Sequence, residues 1–173
     1  SLRCFGTVYT LPGPLDDGMV VRIVAAPRLH PLYNLSLNLQ SITPVGEGSL
    51  KRAADLLKVK LEKEGLFDPA RKRIIPHAPE SIGLIAAKGS AAYGDFVKIL
   101  DDRWGGVKIL HHDTQVQGEA APAEIIRAIE AINQVAEPPE VLVITRGGGS
   151  ADDLAAFSVE QVVRSVASSR IPT

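Results

Sequence analysis

The stretch best suited to chemistry is VLVITRGGGSADDL at residues 141–154, where an apolar run meets an arginine, three glycines, a serine and two aspartates. A guanidinium can form a bidentate pair with two phosphate oxygens. Glycines adopt positive φ without steric cost and let a ligand approach the backbone, and consecutive amides form a concave anion site. The pattern therefore favours a phosphate-binding site over a plain tight turn. Its predicted members are Arg146, Gly147, Gly148, Gly149 and Ser150.

Two carboxylates follow this stretch, Asp152 and Asp153. They are candidate metal ligands, but carboxylates are also favoured at the start of a helix. The residues alone leave both interpretations open.

Two further loops follow predicted strands. In AAKGSAAYGD at residues 86–95, Gly89 and Gly94 have P-loop spacing, but no Lys-Ser/Thr pair follows. Asp95 would lie early in a helix, where a favourable dipole interaction is the plainer interpretation and an acid or base near a phosphate is the functional one. In the later loop, His111 and His112 are adjacent, and adjacent strand residues point to opposite faces. A structural role is therefore favoured for the two histidines.

Composition limits the possible functions. The 173 residues carry a net charge of −1 and are 45% hydrophobic, so any polyanion site has to be built locally. The single cysteine, Cys4, cannot form an internal disulfide, which favours a reducing compartment. No apolar run approaches the ~20 residues that span a bilayer. We therefore expect a soluble, cytoplasmic protein without a membrane partner.

The sequence pattern that predicts the elements around these loops changes near residue 49. Residues 1–48 read as short strands of a partial β domain, whereas residues 49–173 alternate between apolar strands and helices in the order βαβαβα. Such alternation predicts an α/β fold with a parallel sheet flanked by helices, and ligands bind beyond the carboxyl ends of its strands. The final RIPT is predicted to begin a fourth strand.

Several blocks occur together in one order: EGLFDPARKRIIPHAPESIGLI, SAAYGD, VQGEAAPAEIIRAI and RGGGSADDLAAF. Together they resemble the large subunit of exodeoxyribonuclease VII from about residue 50 to residue 173. Residues 1–48 more loosely resemble the later strands of that family's OB-fold. The resemblance thus implies a partial OB-like domain at 1–48 that binds single-stranded DNA. It also implies the first part of a nuclease catalytic domain at 49–173.

The resemblance implies an enzyme that hydrolyses phosphodiester bonds of single-stranded DNA from both ends, leaving oligonucleotides. The family's functional aspartate falls on Asp95 and its arginine on Arg146. No metal is obligatory in some members, while Mg²⁺ helps others, with Asp95, Asp152 and Asp153 as candidate ligands here. A small helical subunit would bind through a coiled coil outside these residues.

The family's further histidine belongs to a Gly-His-Glu-Thr-Asp segment, which these 173 residues do not contain. We therefore expect the chain to be an inactive piece of a longer protein. AAKGS at residues 86–90 also replaces the family's Thr-Ser-Pro-Thr-Gly, which weakens the expectation of phosphate contact by residues 86–88.

In the OB-like part, aromatic rings and cations would guide the single strand by stacking and charge. The predicted contributors are Tyr9, Arg22, Arg28 and Tyr33. Two alternatives are a non-catalytic nucleotide- or phosphate-binding α/β module, and a structural domain whose glycine-rich loop binds no anion.

Overall fold

A computed structural model describes residues 3–7, 11–30, 34–148 and 154–173. By internal contacts the chain forms two compact units, Ser1–Lys63 and Glu64–Thr173. No helix in the described ranges is long and apolar enough to cross a bilayer.

Within its described residues, the first unit contains three strands and one helix. These are β1 (Arg3–Phe5), β2 (Val21–His30), β3 (Asn34–Pro44) and α1 (Glu47–Lys63). The strands form a sheet in the order β1-β3-β2, with β2 antiparallel and β1 parallel to β3. The described residues do not establish a barrel, so the OB-like assignment stays a prediction. The helix α1 groups with this unit, although the sequence analysis assigned residues 49–63 to the second domain.

Local patterns explain these elements. Leu35, Leu37 and Leu39 alternate along β3 as expected for a strand with two unlike faces. In α1, Leu57 and Leu61 are one helical turn apart and both are buried.

The second unit is the predicted βαβαβα arrangement, and its parallel sheet is confirmed. Its elements are β4 (Ser81–Ala86), α2 (Ala91–Arg103), β5 (Lys108–Asp113), α3 (Ala121–Gln134), β6 (Val141–Ile144) and α4 (Glu160–Ser168). The three strands are parallel in the order β5-β4-β6, so β4 is central. Near-continuous apolar runs form β4 and β6, as expected for strands buried on both faces.

Helices cover both faces of this sheet. Ile85 of β4 belongs to a buried cluster with residues of α3 and α4, including Ile129 and Val162. On the other face, the ring of Tyr93 in α2 lies 4.5 Å from the ring of His111 in β5, measured between centroids. His111 pairs with Leu84 rather than with Ile85, which places it on the face opposite the cluster.

The C-terminal residues correct one prediction. RIPT forms no strand, although the carbonyl of Pro172 accepts a hydrogen bond from the Leu142 amide at 2.8 Å. Pro172 has no N–H to donate in return, so a regular ladder cannot continue through it. Asn133 of α3 holds this segment, because its Oδ1 accepts from the Arg170 amide at 2.8 Å and its Nδ2 donates to Ser169 Oγ at 3.1 Å.

Candidate functional site

The loops that follow the three parallel strands leave from one edge of the sheet. Ala86 at the end of β4 pairs with Asp113 at the end of β5, and Ile85 pairs with Ile144 at the end of β6. The Thr145 amide also donates to the Ile85 carbonyl at 3.1 Å. The backbone ladder therefore continues to the residue before Arg146, which fixes where the glycine-rich loop begins.

Arg146 lies directly at this edge, as the sequence predicts. Its side chain is partly buried, and its Nη1 atom is fully buried. A guanidinium held in partly buried surroundings is screened less by solvent than one on an open surface, so its field on a nearby anion is stronger. Arg146 thus combines a position directly after β6 with a partly buried guanidinium.

The next two residues, Gly147 and Gly148, leave open space around the backbone. Among the described residues, a Cβ built on either glycine would meet no atom within 4 Å, and neither glycine has positive φ. Neither strain nor packing in the described ranges requires glycine here, so an outside group approaching these two residues would meet no side chain of theirs.

The amides of Gly147 and Gly148 are available to such a group. Within the described part of the chain, neither N–H donates a hydrogen bond. Of the other predicted residues in this loop, Gly149, Ser150, Asp152 and Asp153 lie outside the described residues, so their roles stay predictions.

The loop after β4 is a tight turn held by β5. Asp113 Oδ1 accepts from the Lys88 amide at 2.7 Å, and Gly89 has φ +78°. Ser90 then caps α2, because its Oγ accepts from the Tyr93 amide at 3.2 Å. Lys88, two residues after β4, is an exposed cation at the same edge of the sheet as Arg146. The departure from the family's sequence at residues 86–90 weakens the expectation of phosphate contact there, and no contact in the described ranges tests it.

Asp95 lies in the second turn of α2 with an exposed side chain. Its neighbour Phe96 is partly buried, whereas Asp95 itself is exposed. Among the described residues, its carboxylate makes no hydrogen bond or ion pair, and none joins it to Arg146. The structure thus places the two predicted catalytic residues in one unit without bringing them into contact.

The two histidines of β5 are engaged within the protein. His111 Nε2 donates to the Ala86 carbonyl at 2.9 Å. The Thr114 hydroxyl donates to the His112 carbonyl at 3.1 Å, so His112 Nδ1 must be the donor in its 2.8 Å bond to that hydroxyl. No group of three or more His, Cys, Asp or Glu suited to a metal occurs in the described ranges. These contacts agree with the structural role favoured for the histidines.

In the first unit, Arg22 and Arg28 are exposed on β2. Val24 pairs with Ser41 and Ala25 with Leu39, so the extra residue at this irregularity belongs to β3. The side chains of β2 therefore continue to alternate between the two faces of the sheet. Six residues apart, the two arginines share a face and lie about 20 Å from each other along the strand. Tyr9 and Tyr33, the predicted stacking residues, lie outside the described residues.

Comparison with known proteins adds independent information. A family model described as "Exonuclease VII, large subunit" matches residues 66–173. Three relatives carry the name exodeoxyribonuclease 7 large subunit. The protein of Leptospira interrogans is 40% identical over 92% of this chain and 38% of its own length. That of Corynebacterium glutamicum is 41% identical over 93% and 39%, and that of Desulforudis audaxviator is 43% identical over 95% and 41%. The chain thus spans about two fifths of the length of these relatives.

Proposed function

Because the chain belongs to the exonuclease VII large-subunit family, we propose that it is part of an exodeoxyribonuclease acting on single-stranded DNA. The enzyme hydrolyses phosphodiester bonds from both ends of the strand and releases oligonucleotides. The observation that carries this proposal is the family match over residues 66–173, which includes both Asp95 and Arg146.

The proposed reaction is attack of water on phosphorus, with one new P–O bond formed as the ester P–O bond breaks. Negative charge grows on the nonbridging oxygens during attack, and the Arg146 guanidinium neutralises it. The amides of Gly147 and Gly148 donate to the same oxygens, joined by those of Gly149 and Ser150. The open space around the first two glycines supports this step, because a phosphodiester reaches their N–H groups without meeting a side chain.

Asp95 orients the attacking water or accepts its proton in this proposal. Its exposed position on α2 leaves the carboxylate accessible to water. A histidine outside residues 1–173 serves as the second acid or base. We therefore propose that these 173 residues alone have little or no nuclease activity.

No step of the proposed reaction passes through a metal. Following the family resemblance, Mg²⁺ is proposed as an optional helper and not as a required cofactor; of its candidate ligands, Asp152 and Asp153 lie outside the described residues. Activity in EDTA and across added Mg²⁺ tests this. A small subunit is proposed to bind a coiled coil elsewhere in the polypeptide, and the location is proposed to be cytoplasmic.

Replacing Arg146 tests the proposed role of the guanidinium. In the full-length polypeptide, we expect Arg146→Ala to lower kcat on a labelled single-stranded oligonucleotide by about 10²-fold or more, as for other preorganised donors. Arg146→Lys keeps the charge but not the bidentate geometry, so we expect only partial activity.

Arg103→Ala is the matched control, because Arg103 is an exposed arginine at the end of α2 and should not affect turnover. Near-normal turnover of Arg146→Ala, with circular dichroism unchanged, would remove Arg146 from the mechanism. Binding of a mononucleotide without any binding of single strands would instead favour the non-catalytic nucleotide-binding alternative.

A further inference from the structure

A basic loop lies between α1 and β4, and the proposed reaction does not use it. We define it as residues 66–75, LFDPARKRII, which contain three consecutive cations and one carboxylate. Arg71, Lys72 and Arg73 are all exposed. None of the three side chains makes an ion pair or hydrogen bond in the described part of the chain. In a chain of net charge −1, this is a local concentration of uncompensated positive charge.

The backbone presents these cations from a defined turn. Asp68 Oδ1 accepts from the Ala70 amide at 2.8 Å and thereby caps the short helix Pro69–Arg71. The Lys72 amide closes that turn on the Pro69 carbonyl at 3.0 Å, and the chain then becomes extended. Because the one carboxylate of the loop is engaged in the cap, it does not neutralise the neighbouring cations.

Apolar side chains of the same loop are unusually exposed. Ile74 is 92% exposed, Ile75 60% and Phe67 39%. Phe67, Ile75 and the three cations line a cavity of about 380 Å³, together with Val163 and Val166 of α4. The cavity therefore combines cations with an accessible aromatic ring and aliphatic surface.

Single-stranded DNA matches this combination of groups. Its phosphates suit the cations, and its unpaired bases offer flat faces to an aromatic ring, whereas a duplex keeps its bases stacked inside. The position also suits a substrate path. Pro172 lines the cavity and hydrogen-bonds to Leu142 of β6, and Leu142 lies only about 13 Å along the strand from Arg146.

We propose that residues 66–75, together with the facing side of α4, form a binding surface for single-stranded DNA. This surface is separate from the candidate site after β6 and holds the strand while that site acts on it. The inference rests on the proposed function, because it takes the substrate from there. It assigns a different step, binding, to different residues.

The cations are tested by Arg71→Gln, Lys72→Gln and Arg73→Gln together in the full-length polypeptide. Glutamine keeps two methylenes of each aliphatic stem, so part of the packing in the cavity is retained while the charge is lost. Fluorescence anisotropy with a labelled oligothymidylate should show a Kd at least about tenfold higher. The slope of log Kobs against log salt should fall by about 2, since each of three contacts contributes about 0.7.

The matched control removes the same charge elsewhere, by Lys58→Gln, Arg103→Gln and Lys108→Gln. These cations are also exposed and make no ion pair in the described ranges. We expect a Kd within about twofold of wild type and a smaller change in slope, because charges outside the contact surface release few counterions. Equal losses in both triple variants would reduce the effect to net charge and overturn the inference.

Phe67→Leu tests stacking separately from charge. It should weaken oligothymidylate binding about fivefold or more, the lower end of the range for one stacked base. It should leave binding of an abasic oligonucleotide unchanged, because that ligand has phosphates but no bases. An equal effect on both ligands would contradict a stacking role for Phe67.

The two proposals fail in different ways. The inference is overturned if the wild-type protein does not bind oligothymidylate, or if the basic-loop variant binds it normally. Either result overturns it even where Arg146→Ala abolishes cleavage. Loss of binding in the basic-loop variant, with normal turnover in Arg146→Ala, supports the inference and contradicts the proposed catalytic role of Arg146. Thermal unfolding of each variant confirms that the exposed replacements leave the fold intact.

Discussion

Glycine serves opposite purposes at two positions of the same sheet. Gly83 in β4 is enclosed: a Cβ there would lie 2.9 Å from Pro139 Cγ, 3.1 Å from Leu142 Cδ1 and 3.2 Å from Ile132 Cγ2. Gly147 after β6 faces open space. The first glycine allows close packing within the protein, and the second leaves room for something outside it.

Gly83→Ala should therefore destabilise the protein. The added methyl meets a proline ring that cannot rotate away, and overpacking of this kind typically costs about 1–3 kcal/mol. Urea unfolding measures the change in free energy. Gly94→Ala in α2 is the control, because its Cβ would meet nothing, and alanine should raise helix stability by about 0.5–1 kcal/mol. Equal stability of Gly83→Ala and wild type would mean that the surrounding residues relax freely.

Residue types at the strand ends predicted part of the candidate site and missed part of it. Arg146 was predicted at the carboxyl edge of the sheet because an apolar run of strand length ends just before it. Of the glycines in the loops after β4 and β6, Gly89 has positive φ, whereas Gly147 and Gly148 do not. Which glycine adopts positive φ depends on how each loop packs, and composition does not reveal that.

At the scale of elements, β5 holds the loop that leads into α2. The Asp113 carboxylate binds the Lys88 amide, and Ser90, two residues later, caps the helix that carries Asp95. Asp113 thus positions the start of the helix that carries Asp95, a proposed catalytic residue.

Asp113→Ala should loosen this loop. The Lys88 amide loses its acceptor, so its hydrogen exchange should speed up, and stability should fall by about 1 kcal/mol. Asp113→Asn retains an oxygen acceptor and should be closer to wild type. Glu130→Ala removes an exposed carboxylate on α3 that makes no hydrogen bond in the described ranges, and it should leave Lys88 exchange unchanged. Unchanged exchange in Asp113→Ala would show that other contacts hold the loop.

Periodicity predicted the strands and helices of the second unit, because long apolar runs and helical spacing are local signals. The helical spacing of Ile125, Ile129 and Ile132 falls within the helix Ala121–Gln134, and the apolar run after Glu140 forms the strand Val141–Ile144. The prediction of a strand at RIPT was wrong. A strand needs consecutive hydrogen-bonding partners, which is a tertiary property, and Pro172 has no N–H to donate. The Asn133 contacts that hold this segment join residues 36 and 37 positions apart, so no local pattern indicates them.

At the scale of the whole molecule, the 173 residues contain Arg146 and the amides of Gly147 and Gly148, but not the family's histidine segment. We expect the purified chain to degrade single-stranded DNA at a small fraction of the full-length rate, because protonation of the leaving oxygen lacks its proposed donor. Release of acid-soluble nucleotides from labelled strands measures this. Robust degradation by the chain alone would show that the missing segment is dispensable.

The central position of β4 also determines the order in which the sheet can be made during synthesis. Ile82 pairs with Ile109, 27 positions away, and with Val141, 59 positions away. Pairings between distant positions form more slowly, and the chain leaves the ribosome from its N-terminal end. We expect β4 and β5 to associate first and β6 to join last. Pulsed hydrogen exchange during refolding should protect Leu110 before Val143. The edge that carries Arg146 would then be completed only after the rest of the sheet is in place.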